Sequence, residues 1–154
     1  MMSSIRYYKG QLFLMGILKI RMVGFVRPRL LELNSERCRV RIPLRRRTRN
    51  HVGSMYLGAF AVGADLASGY LAYFLAKESR LSAMPVFKSM KAEYHRRAES
   101  AVIFTCADGA LIQDMIENSR ISGERENRVV TVLATCENEE VARFEMEVSV
   151  KIRK

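Results

Sequence analysis

Acidic side chains are scarce in this 154-residue sequence: 16 Asp and Glu stand against 26 Lys and Arg, for a formal charge of +10. Such an imbalance calls for an anionic partner, whether nucleic acid, a membrane surface or a phosphorylated small molecule. No Lys/Arg-Gly-aromatic motif, zinc-finger spacing or helix-turn-helix signal accompanies the charge, so nucleic acid is the least supported of the three. Cysteine is also sparse. Cys38, Cys106 and Cys136 are odd in number and widely spaced, which excludes a disulfide framework and a C-x-x-C zinc site and points to a reducing, cytoplasmic setting. Three prolines and no low-complexity tract, beside 49% hydrophobic residues, exclude a disordered chain. The opening MMSSIRYYKGQLFLMG has no clean apolar run ending at a small-residue cleavage site, so no signal peptide is expected, and no internal repeat is visible.

What is present has the length of one domain, residues 1–154, with a basic helical segment over 1–34 and a core over 35–154. Leu12 to Leu33 mixes apolar clusters with Lys19, Arg21, Arg27 and Arg29, which predicts a basic amphipathic helix stopping near Pro28. Packing on the domain's edge is its first reading, and peripheral membrane contact is its second. In RCRVRIPLRRRTRN, Arg37, Arg39 and Arg41 alternate with Cys38, Val40 and Ile42, the period of a half-buried strand with one cationic face. A solvated outer face and a phosphate-binding role explain those arginines equally well. Strands are expected over Met84–Arg97, Ser100–Ala107, RVVTVLATC and VARFEMEVSVKIRK, with the amphipathic ALIQDMIENS between the two pairs. Runs of strands after one long helix, without βα alternation, predict an α+β domain whose antiparallel sheet curves around that helix.

The helix is Ser54–Ala76, and it holds one charged side chain, Asp65. It is long enough to span a bilayer, but a carboxylate at mid-span costs roughly 2.5–3.5 kcal/mol, and the amphipathic strands can bury the helix in protein instead. At 100° per residue Ser54, Gly58, Ala61, Asp65, Gly69 and Ala72 share one stripe, with Phe60, Tyr70 and Phe74 broadly opposite. A buried carboxylate needs a hydrogen-bonding partner, water or a chemical role. Gly53, Gly58, Gly63 and Gly69 match no nucleotide-binding loop. Gly53 and Gly58 are instead placed at the helix start, where free N–H groups bind an oxyanion. His51 reads as a loop residue and His95 as a surface one; with no His/Cys/carboxylate cluster, neither a metal nor a cofactor is expected.

Asn50-His51-Val52-Gly53-Ser54-Met55-Tyr56-Leu57-Gly58, followed by Asp65, resembles a known frame. Hotdog-fold thioesterases, the phenylacetate-pathway (PaaI-like) type in particular, carry Asn-x-x-Gly-x-x-His-Gly-Gly running into the central helix, with an acid nine residues after the His. Here Tyr56 takes the His position and Leu57 that of the first Gly. LRRRTRNHVGSMY and MKAEYHRRAESAVIF are similar to a hotdog branch known only as a domain of unknown function, and the likeness extends over nearly the whole chain. The resemblance implies a hotdog fold with an extra N-terminal helix, a homodimer or homotetramer built by pairing sheet edges, and an acyl-CoA or acyl-carrier-protein thioester as ligand. Carried onto matching positions, it makes Gly58 the donor to the thioester carbonyl, Asp65 the base or nucleophile, and Asn50, Gly53 and Tyr56 substrate-binding groups. Seven residues of helix separate Gly58 from Asp65 by about 10 Å, which favours a site shared across a dimer. The expected activity is thioester hydrolysis; the alternative is a non-catalytic acyl-CoA- or lipid-binding module.

Overall fold

In the computed structural model, which describes residues 2–83 and 85–153, the chain opens with two helices, α1 (Met2–Leu18) and α2 (Arg21–Val26). The one helix expected over Leu12–Leu33 is therefore replaced by helix, turn, helix and strand. The break has a local cause. Lys19 and Ile20 both donate their N–H to the Met15 carbonyl, at 3.0 and 2.8 Å, and close α1 in a tight turn. α2 stops at Arg27, which is left-handed at φ 51° and donates its N–H to the Gly24 carbonyl; Pro28 then has no N–H with which to continue. The chain extends instead into β1 (Arg29–Leu33), antiparallel to β2 (Cys38–Ile42). In β2 the expected alternation holds, with Cys38, Val40 and Ile42 buried and Arg39 and Arg41 half-buried on the opposite face. Glu32 of β1 accepts ion pairs from Arg37 and Arg39 at 3.8 and 3.6 Å, so part of that cationic face is neutralised.

Next come α3 (Leu57–Glu78), β3 (Ser82–Ala83), β4 (Val86–Tyr94), β5 (Val102–Cys106), α4 (Gly109–Ser122), β6 (Glu126–Cys136), β7 (Glu139–Val150) and β8 (Ile152–Arg153). The strand expected from Met84 starts at Val86; Met84 itself lies outside the described residues. Six strands form one antiparallel sheet in the order β1-β2-β5-β6-β7-β4, while β3 and β8 pair separately.

The expectation of a sheet wrapped around the central helix needs correction. The sheet is open, with β1 and β4 as its two edges, and α3 lies across β2, β5, β6 and β7. The rest of the helix is covered by other means: α2 and α4 pack on it, and α1 is tied to it by side chains. A helix that is apolar nearly all round has to be covered, but helices meet that need as well as strands do. Tyr70 of α3 donates its hydroxyl to the Tyr8 carbonyl at 2.7 Å, and the Tyr8 ring meets Phe74 edge-on at 5.1 Å.

Between helix and sheet, Phe60 of α3 packs against Phe104 of β5 and Phe144 of β7, with ring centres 5.8 and 6.3 Å away. Gly63, one turn further on, leaves the space that the Phe104 ring fills. Phe60 thus points into the sheet, Tyr70 and Phe74 face α1, and the small-residue stripe carrying Asp65 borders Phe87 on the edge strand β4. By length and composition α3 is able to cross a membrane, yet 72% of its most apolar window is buried within the protein.

Candidate active site

A braced loop delivers the chain to the start of α3. Thr48 is its buried anchor: its hydroxyl donates to the Pro43 carbonyl at 2.7 Å and accepts the Arg45 N–H at 2.9 Å. Asn50 folds the next turn, its Oδ1 accepting the N–H groups of Val52 and Ser54 and its Nδ2 donating to the Ser54 hydroxyl, each at 3.1 Å. Gly53 adopts φ 86° and donates its N–H to the Asn50 carbonyl at 3.2 Å. Two expected site residues are therefore parts of the brace. Asn50 spends its side chain on its own turn, and Gly53 is an exposed loop glycine three residues before the helix N-cap.

Tyr56 is that N-cap, extended at φ −71°, ψ 142°, with no side-chain cap bond. Its carbonyl accepts from Ala59 and Phe60 at 2.9 and 3.2 Å, which leaves Leu57 and Gly58 as first-turn residues whose N–H groups have no backbone partner among the described residues. Half-exposed, the Tyr56 ring folds back over Gly58, its Cε1 2.7 Å from where a β-carbon would stand. Tyr56 and Gly58 are thus brought together at a helix start able to donate to an anion.

Asp65 lies two turns further along the same face. It is half-buried, and burial raises its carboxyl above the ordinary carboxylate range; among the described residues no charged or hydrogen-bonding neighbour offsets that shift. Beside it, the Phe87 ring of β4 crosses Gly69 at 3.2 Å from a would-be β-carbon, and that same point is 3.8 Å from the Asp65 carboxylate. Phe87 is a neighbour that sequence reasoning missed. The only signal for it was Gly69, four residues after Asp65, where a close approach requires glycine. Past Phe87, the edge strand β4 exposes Val86, Met90 and Tyr94.

Four exposed arginines, Arg45, Arg46, Arg47 and Arg49, flank the loop that leads to this helix start. Of the two histidines, His51 is exposed in the loop and His95 meets Glu140 at 3.3 Å on the surface. Among the described residues, no three His, Cys, Asp or Glu side chains converge as metal ligands would.

An open antiparallel sheet with one long helix laid across it defines the class of fold: this is a hotdog fold, shared with solved structures. The chain belongs to the family described as Domain of unknown function (DUF4442), which it matches over residues 11–150. Among solved structures it is similar to a thioesterase candidate from Shewanella oneidensis, with TM-score 0.81 and 15% identity over 94% of this chain and 97% of that one. A Pseudomonas aeruginosa protein of unknown function, also a thioesterase candidate, gives TM-score 0.78 and 23% identity over 94% and 95%. A second P. aeruginosa protein, a thioesterase solved as a mutant, gives TM-score 0.71 and 16% identity over 94% of each chain. At such identities the likeness is one of fold. No curated protein matches the chain.

Proposed function

We propose that the protein hydrolyses acyl thioesters of CoA or acyl-carrier protein at a site shared by two copies of the chain. The observation that carries this reading is Asp65, a half-buried carboxylate on α3 with no partner among the described residues. Once ionised, it either removes a proton from water or attacks the thioester carbonyl, while the N–H of Gly58 stabilises the oxyanion that forms. The two groups lie on one face, but about 10 Å apart along the helix axis, so one α3 cannot bring both to one carbonyl. Supporting a second copy is the free edge of β4, which sits directly beside Asp65 through Phe87. Edge-to-edge pairing would extend the sheet and place the partner's helix start across from Asp65. Arg45, Arg46, Arg47 and Arg49 would supply charge to the CoA phosphates, and Tyr56 would position the acyl group.

One observation favours a non-catalytic acyl-binding module as the second reading: the Tyr56 ring occupies the space over Gly58. Both readings meet the same experiment, thiol release from a panel of acyl-CoAs of graded chain length by the purified protein and by Asp65→Ala. Turnover by the native chain, lost in a folded Asp65→Ala, supports hydrolysis. Saturable acyl-CoA binding with no turnover at any chain length replaces it with the binding module.

A further inference from the structure

We propose that α1 and α2 together form a docking surface for an anionic lipid bilayer. Their inner faces are spent on the core, where Tyr8, Leu12, Val23 and Val26 are buried. Their outer faces also carry large apolar side chains, with Phe13, Leu14, Ile17, Leu18, Met22 and Phe25 between 49% and 74% exposed. Isolated exposed side chains of this kind need no explanation, but a contiguous group on two adjoining helices marks an interaction site. The two helices are locked as a unit at Gly16 and Gly24, where a β-carbon on Gly16 would stand 2.8 Å from the Gly24 nitrogen.

Charge selects the occupant. Residues 1–31 contain Arg6, Lys9, Lys19, Arg21, Arg27 and Arg29, all exposed, and no Asp or Glu. The loop arginines extend this field: Arg47 lies 5.3 Å over the Phe25 ring and donates to the Phe25 carbonyl at 3.3 Å. A second copy seated on this face about a two-fold axis would set these cations against themselves, with no acid in residues 1–31 to pair them. A bilayer with anionic headgroups takes both components, apolar side chains below the headgroups and cations at their level. Because Arg47 belongs to the loop that leads into α3, the docked face borders the candidate active site. The inference stands independently of any hydrolytic activity.

The test is co-sedimentation of the full chain with vesicles of phosphatidylcholine alone and of phosphatidylcholine mixed with phosphatidylglycerol. The chain contains no tryptophan, so Leu18→Trp adds a single fluorescent reporter of insertion. Expected are pelleting and blue-shifted emission only with phosphatidylglycerol, about fivefold weaker binding for each of Lys19→Ala and Arg21→Ala, and loss of pelleting in Phe13→Ser/Leu18→Ser. These positions are exposed, and an unchanged melting curve confirms that the variants fold. No pelleting, equal pelleting with both vesicle types, or pelleting indifferent to Phe13→Ser/Leu18→Ser overturns the proposal. So does an oligomer, seen without lipid, that Phe13→Ser/Leu18→Ser dissociates, because the face would then be a protein interface.

Discussion

The ring of Tyr56 rests on Gly58, its Cε1 2.7 Å and Cδ1 3.1 Å from the point a β-carbon would occupy. The aromatic ring therefore lies on the helix start because glycine leaves it room. In Gly58→Ala the half-exposed ring swings into solvent while the helix gains a better former, so stability should change by no more than roughly 1 kcal/mol. Thioester turnover should nevertheless fall between about tenfold and a hundredfold, as Tyr56, proposed to position the acyl group, is displaced. Melting and steady-state kinetics on one preparation check both halves.

Gly63→Ala should have the opposite profile. All three atoms nearest its would-be β-carbon belong to the Phe104 ring, which is fully buried and held between Phe60 and Phe144. That ring has no solvent to swing into. Overpacking there should cost about 1–3 kcal/mol, read as a lower urea midpoint with unchanged slope. A midpoint equal to the native one would show that the layer between α3 and the sheet accommodates a methyl group.

Thr48→Val tests the brace beneath the site. Valine keeps the shape but removes the donor to the Pro43 carbonyl and the acceptor of the Arg45 N–H, leaving buried backbone groups unpaired. A loss of about 1–3 kcal/mol is expected. Turnover should fall more than the global loss explains, because the Tyr56 N–H is tied to the Thr48 carbonyl at 2.8 Å. Activity measured well below the melting temperature separates the two effects.

What was legible in the sequence was whatever depends on local period and composition. α3 stands out as a long apolar run with one acid between Ser54 and Ala76, and β2 as strict alternation of Arg with Cys, Val and Ile. Asp65 was found for the same reason: a lone carboxylate among small residues needs an explanation. The hidden features depend on contacts between distant segments. Leu12–Leu33 has a helix-like composition, and its division rests on the left-handed Arg27 and on the pairing of Leu30 with Val40. Asn50 is a residue type that binds substrates, but only the fold shows its amide committed to Val52 and Ser54. The apolar circumference of α3 demanded a cover without saying that helices would supply it, hence the expectation of a wrapped sheet.

The raised pKa of Asp65 fixes the sign of two pH effects. Between the ordinary carboxylate value and the raised one, the folded chain holds a proton that the unfolded chain has lost. Asp65 thus contributes most stability below that window, loses it as pH rises through the window, and contributes a constant penalty above it. Asp65→Asn should therefore melt higher than the native chain at neutral pH, with the difference vanishing in acid. Turnover needs the carboxylate, so it should rise with pH across the raised pKa and fall by about 10²–10⁴-fold in Asp65→Asn. Melting temperatures and rates over one pH series test both signs. A less stable Asp65→Asn at neutral pH would mean that the carboxylate has a stabilising partner in solution.

If one copy supplies Asp65 and its partner the helix start, two inactive variants should rescue each other. Gly58→Pro removes the donor N–H at a first-turn position where proline is tolerated, and Asp65→Asn removes the base. Each homodimer then lacks one half of both its sites. A mixed dimer pairs the intact Asp65 of one chain with the intact helix start of the other at one site, and has two defects at the second site. After unfolding and refolding an equimolar mixture, random association makes half the dimers mixed, so about a quarter of native activity should return. A site contained within one chain would return none, because every chain in the mixture carries a defect. The recovered fraction therefore distinguishes a shared site from a private one without a structure of the complex.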